Sequence, residues 1–209
     1  MTSSLLDRWN ALLSRCGATV DPVPYGTDLL DRWAEPQRRY HTTEHLRAVL
    51  DHVDALAGQA EDADAVRLAA WFHDAVYRPD RSENEERSAH LAVRALREAG
   101  LPEPLVAEVA RLVRLTVTHA PEPGDRNGEV LCDADLAVLG GTPESYAAYT
   151  AAVREEYAFV PEEAFREGRA AILRALLELP ALYRTPAARE RFDAAARANL
   201  AAELGTLTG

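Results

Sequence analysis

Ala69-Ala-Trp-Phe-His-Asp-Ala-Val-Tyr77 sets a histidine and an aspartate side by side in an otherwise apolar run. That arrangement is costly in a helix, because a buried carboxylate without a partner must either take up a proton or lose several kcal/mol of hydration. A divalent metal would supply the partner. Upstream His45 and downstream Asp135 lie in similarly apolar frames. Together His45, His73, Asp74 and Asp135 make a set of nitrogen and oxygen donors suited to a hard or borderline divalent ion. A helix, a turn and most of a second helix separate His45 from His73, so the two imidazoles can converge from neighbouring helices. Adjacent residues on one helix point about 100° apart. His73 and Asp74 can still share an ion that rests against their helix, each reaching from its own flank. Asp135 would close the set from a third helix.

Outward from this stretch the apolar spacing is helical almost throughout. Leu5, Leu6, Trp9, Leu12 and Leu13 predict a first helix that stops at Gly17. Leu29, Leu30 and Trp33 predict a short second one ended by Pro36. Leu46 to Leu56 predicts a third, opened by Thr42 or Thr43 and closed by Gly58. The fourth is expected from about Asp62 to Tyr77, with Pro79 beyond it. Ser82-Glu-Asn-Glu85 reads as a capping box that opens a fifth helix running to Gly100. Pro102 suits the first turn of a sixth that ends near His119. Ala120 to Gly128 is the clear loop, rich in breakers. A short helix from Val130 to Leu139 stops at Gly140-Gly141, and Thr142-Pro143 starts the next, with Tyr146, Tyr149, Val153 and Tyr157 near one face as core. Pro161 to Leu179 and Pro186 to Leu204 complete an all-α bundle. With no strand pattern, no repeat and short connections, residues 1–209 read as one domain.

Composition narrows the partners. The 209 residues can bury a sizeable core, and 47% hydrophobic with 27% charged residues is ordinary for a soluble globular chain. A net charge of −11 argues against a nucleic-acid backbone or an anionic membrane as partner. It leaves room for a small anionic substrate, since a metal and a few arginines can reverse the local field. Every basic residue is arginine, as expected from codon bias. No secretion signal or membrane-length apolar run is seen. Cys16 and Cys132 are far apart and read as reduced thiols, so the expected location is the cytoplasm.

The ordered set His45, His73-Asp74, Asp135 resembles the ligand pattern of the HD superfamily of metal-dependent phosphohydrolases. Arg39-Tyr-His-Thr-Thr-Glu-His-Leu46, Phe72-His-Asp-Ala-Val-Tyr77, Asn84-Glu-Glu-Arg-Ser-Ala89, Asp133-Ala-Asp-Leu-Ala-Val-Leu-Gly140, Val153-Arg-Glu-Glu-Tyr157 and Gly168-Arg169 are similar to an uncharacterised bacterial branch of it. The resemblance runs from about residue 5 to about residue 204. It implies a helical bundle of the HD-domain or phosphodiesterase-like type, with one divalent ion (manganese, iron, cobalt, nickel, zinc or magnesium). The implied activity is hydrolysis of a small phosphate ester, a nucleotide among the expected ones, by a metal-activated water. A homodimer is compatible with this reading.

The resemblance also weighs individual residues. In the family pattern the last ligand is the aspartate directly after Ala, here Asp135. Asp133 competes for that place, or else caps its helix or holds a histidine proton. His41, four residues before His45, suits metal, substrate phosphate or the helix start. His119 stands where relatives place a further histidine near the metal, while His52 and His90 read as packing or surface residues. Glu85 could act as general base or orient water, although the capping box already accounts for it. Asp74 could serve as ligand and as proton acceptor. Arg39, Arg154 and Arg169 are candidate phosphate clamps, since a guanidinium binds two oxygens at once. Two other classes stay open: a metal- or nucleotide-binding module with weak turnover, and a di-iron oxygenase, which needs more bridging histidines than His90 and His119. Phosphate-binding glycine loops, a Gly-x-Ser-x-Gly elbow and zinc-finger spacing are not found.

Overall fold

The computed structural model describes residues 4–209, which form ten α-helices and no strand. These are α1 (Leu5–Arg15), α2 (Val23–Trp33), α3 (Thr43–Leu56), α4 (Ala63–Phe72), α5 (Asn84–Glu98), α6 (Glu103–Leu115), α7 (Arg126–Asp135), α8 (Pro143–Glu156), α9 (Glu162–Glu178) and α10 (Pro186–Thr208). Short 3₁₀ segments, Ala57–Gln59 and Leu136–Gly140, follow α3 and α7.

Helix α4 is buried on nearly every side, as expected of a helix without a polar stripe. It packs against α1, α3, α5, α6 and α7. Trp71 and Phe72 meet Trp9 of α1 edge to face, with centroids 5.2 and 6.0 Å away. Truncating a ring buried like Trp71 costs about 3–5 kcal/mol. The C-terminal helix α10 docks on α9 and on the 3₁₀ segment after α7. Gly140 makes that docking close, since a Cβ there would lie 2.9 Å from the Phe192 Cα.

The helices lie where the apolar spacing puts them, but four ends differ. Helix α4 stops at Phe72 rather than Tyr77, and His73 and Asp74 occupy the turn beyond it. The carbonyls freed there find tertiary partners. The buried Arg38 guanidinium donates to the oxygens of Asp74 (2.9 Å), Ala75 (3.4 Å) and His41 (3.0 Å). Ser88 Oγ accepts from the Val76 N–H, 3.0 Å away. Pro79, which offers no N–H to Ala75, removes a further reason to continue the helix.

The capping box at Ser82 does not form. Helix α5 begins at Asn84 behind Glu83, with no side-chain cap. Asn84 instead pins the preceding loop, accepting from the Arg78 N–H and donating to the Arg78 and Arg81 carbonyls. Helix α6 ends at Leu115, before His119, and α7 begins at Arg126 because Asp125 caps it through the Gly128 N–H. No helix among the described residues is long and apolar enough to cross a membrane.

Candidate metal centre

Three donor atoms converge where α3, α7 and the turn after α4 meet. His45 Nε2 and His73 Nε2 are 3.3 Å apart. Asp135 Oδ1 lies 3.2 Å from the first and 3.6 Å from the second. Donors about 2.1 Å from one ion, at right or tetrahedral angles to each other, stand about 3.0–3.4 Å apart. The three atoms therefore have the mutual spacing of a shared cation site, and His45, His73 and Asp135 can hold a metal ion.

The surrounding chain fixes how the donors present themselves. His73 Nδ1 lies 2.8 Å from the Ala70 carbonyl, so that nitrogen carries a proton and Nε2 is turned toward the centre. Trp33 packs against both imidazoles, 6.1 Å from the His45 ring and 5.3 Å from that of His73. Its indole N–H donates to the Trp71 carbonyl, which ties α2 to the end of α4. His119 approaches the other carboxylate oxygen of Asp135, with Nε2 2.8 Å from Oδ2. His119 has a φ of +49°, unusual for a residue with a Cβ, and a strained backbone of this kind persists only where its surroundings hold it.

No known family model, curated protein or solved structure matches this chain.

The buried imidazoles and carboxylates of the centre shift one another's protonation. Burial alone would lower His73, but Asp74 and Asp135 outweigh it and raise the imidazole to about 9. Burial wins at His45, which is lowered. For Asp135 burial works upward, yet His73 and the hydrogen bonds from His119 and His45 hold the carboxyl well below its ordinary range.

The remaining candidates divide. Asp74 lies beside the centre, its Oδ2 3.3 Å from His73 Nε2 and 3.8 Å from His41 Nε2. Asp133 is elsewhere: its carboxylate accepts from the backbone N–H groups of Arg184 and Thr185, both at 2.7 Å. It anchors the entry to α10, neither capping its own helix nor holding a histidine proton. The side chain of Glu85, on the first turn of α5, carries no hydrogen bond among the described residues. It acts on the Tyr157 phenol alongside Glu156 and Asp74, behind the larger effect of burial.

The candidate arginines are engaged in the framework. Arg154 donates to the Tyr157 and Val160 carbonyls and pairs with Glu162, closing the end of α8. Arg169 forms a fork with Glu203 (2.8 and 3.0 Å) and reaches the Tyr149 hydroxyl. Arg39, exposed, binds the Pro36 and Arg38 carbonyls and lies 3.4 Å from Glu155. The tyrosines of α8 and its C-cap are only partly core: Tyr146 is buried and bonded to Glu203, whereas Tyr149 and Tyr157 are half-buried.

The residue missed from sequence is Glu156. Its Oε1 accepts the N–H groups of Arg39, Tyr40 and His41 (2.7, 2.8 and 3.0 Å), and its Oε2 takes His41 Nδ1 (2.6 Å) and the Tyr77 hydroxyl (2.8 Å). Burial works against this carboxylate, but the hydrogen bonds from His41 and the backbone overcome it and hold the group at about 2. A signal was present: Glu156 shares a helix face with Tyr149 and Val153, so it is an acid placed on an apolar stripe. Arg38 was missed as well, and no periodicity marks it.

Proposed function

We propose that the chain is a metal-dependent phosphohydrolase of the HD type, acting on a small phosphate ester. The observation that carries the proposal is the convergence of His45 Nε2, His73 Nε2 and Asp135 Oδ1 within 3.2–3.6 Å, with Asp74 alongside. Two histidines with carboxylates are the donors that divalent hydrolase metals take. The ion, when bound, would polarise a phosphoryl oxygen and bring the pKa of a water toward about 7.

The chain's own groups supply the rest. Ala70 and Trp33 keep the His73 ring oriented, and His119 steadies Asp135 through its second oxygen. Glu156 accepts the Nδ1 proton of His41, leaving His41 Nε2 as a lone-pair atom on the Asp74 side of the centre. His41 and Asp74 are then the pair suited to take a proton from an attacking water, and His119 can stabilise charge on a phosphoryl oxygen. Glu85 remains a candidate for orienting that water.

One observation favours a second reading, a metal- or nucleotide-binding module with weak turnover. Arg154 and Arg169 are already paired within the fold and are not free to clamp a phosphate.

Elemental analysis of chelator-free protein, followed by a phosphate-release screen over nucleotides and simple phosphate esters, tests the proposal. About one equivalent of divalent metal, lost in Asp135→Asn, together with metal-dependent phosphate release, is the expected result. Metal without turnover would favour the binding module. Two equivalents of iron, or no metal after reconstitution, would overturn the proposal.

A further inference from the structure

A cavity of about 860 Å³ lies between α3 and α8, with His45 and Asp135 at one end. That volume is within the range of small-molecule sites, about 300–1,000 Å³. Its walls include Tyr40, Val49, Val138 and Tyr149. The far end carries different groups from the metal end. His52 lies there, two turns of α3 beyond His45 and so about 10 Å further along the axis. Arg191 of α10 lines the same end.

These two residues are held together by one ring. The His52 imidazole meets Phe192 edge to face at 5.4 Å, and the Arg191 guanidinium lies 4.9 Å from the centroid of the same phenyl. Phe192 is seated against Gly140, where no Cβ fits, and Asn199 ties α10 to the Leu139 and Gly141 carbonyls. The end of α10 that carries Arg191 is therefore fixed relative to α7, which carries Asp135. No carboxylate pairs with Arg191 among the described residues, although most arginines near the centre are paired. The N-terminus of α8 does not account for this end, because Thr142 already caps it through the Ser145 N–H.

We propose that this cavity selects a phosphate ester carrying a second oxyanion, a phosphate or a carboxylate, two turns of α3 (about 10 Å of helix axis) beyond the first. The reacting phosphate sits at His45 and Asp135, and Arg191 with His52 binds the distal oxyanion. The inference rests on the phosphohydrolase reading for its metal end and deepens it by naming the substrate class.

Titration calorimetry tests it with three probes: hexyl phosphate, hexanediol bisphosphate, and the matching chain that carries a phosphate at one end and a carboxylate at the other. Each is titrated into the protein with and without added manganese. A charge-assisted hydrogen bond to the distal group predicts at least one doubly anionic probe binding about tenfold more tightly than hexyl phosphate. Arg191→Ala should abolish that preference and leave hexyl phosphate binding unchanged. Whichever of the two probes gains identifies the distal oxyanion. Equal binding of all three, no binding of either doubly anionic probe, or a preference that survives Arg191→Ala would overturn the inference. The two readings fail differently. If the phosphohydrolase reading alone is wrong, Arg191-dependent binding persists without metal or turnover. If this inference alone is wrong, hexyl phosphate is hydrolysed with no advantage from a second anion.

Discussion

Glu156→Gln tests the arrangement around His41 most directly. The wild-type carboxylate gathers three backbone N–H groups on one oxygen and His41 with Tyr77 on the other. Its side chain is fully shielded from solvent. Held at about 2 rather than the ordinary 4.5, it is stabilised as the anion by roughly 3 kcal/mol, at 1.36 kcal/mol per unit. Glutamine retains the three backbone contacts, so the loss expected in the mutant is nearer about 2 kcal/mol. Because the folded pKa is depressed, this stability is fully present above about pH 4.5 and is lost as pH falls toward about 2. Glutamine keeps the shape and can still accept the backbone N–H groups. Its amide would then face His41 Nδ1 as a donor, forcing the proton to Nε2 and reversing what the ring offers to Asp74. Urea denaturation of both proteins at pH 7 should show the mutant less stable by about 2 kcal/mol, and at pH 3 most of that difference should vanish. An equal difference at both pH values would refute the electrostatic argument. No difference at pH 7 would refute the network itself.

Three further outcomes are expected. Arg38→Met leaves the Asp74, Ala75 and His41 carbonyls without their donor, and should cost about 3 kcal/mol in denaturant unfolding; a loss below about 1 kcal/mol would mean that water replaces the guanidinium freely. Asp133→Ala should lower stability by about 2 kcal/mol by orphaning the Arg184 and Thr185 N–H groups, with metal content unchanged. If Asp133→Ala loses metal while Asp135→Asn keeps it, the ligand assignment is reversed. A divalent ion at a hundredfold excess over its Kd should stabilise the fold by about 2.7 kcal/mol, which for a chain of this size raises the melting temperature by about 5–11 °C. Chelator should remove that gain, and Asp135→Asn should never show it.

Much of the architecture was legible because helix formation here is local. Apolar residues at three-to-four spacing, with Thr42, Asp62, Thr142 and Thr185 as N-caps, set where α3, α4, α8 and α10 begin. The capping box at Ser82 failed because Asn84 found better partners in the loop before it. The end of α4 was misplaced for a related reason. Nothing within residues 69–77 says that Arg38 will satisfy the carbonyls of Asp74 and Ala75 and so let the chain leave the helix at His73.

For the centre, the sequence by itself named the candidate donors: a histidine and an aspartate set in apolar surroundings demand partners, and His45 with Asp135 or Asp133 were the candidates of matching chemistry. Only the tertiary structure decided between Asp133 and Asp135, because the two differ not in type but in what lies opposite them. Asp133 meets two backbone N–H groups from the entry to α10, and Asp135 meets His45, His73 and His119. Likewise only the fold brings Glu156 to His41, across more than a hundred residues of chain. Spacing along a helix is a property of neighbouring residues, whereas the partner of a buried charge is chosen by packing between distant ones.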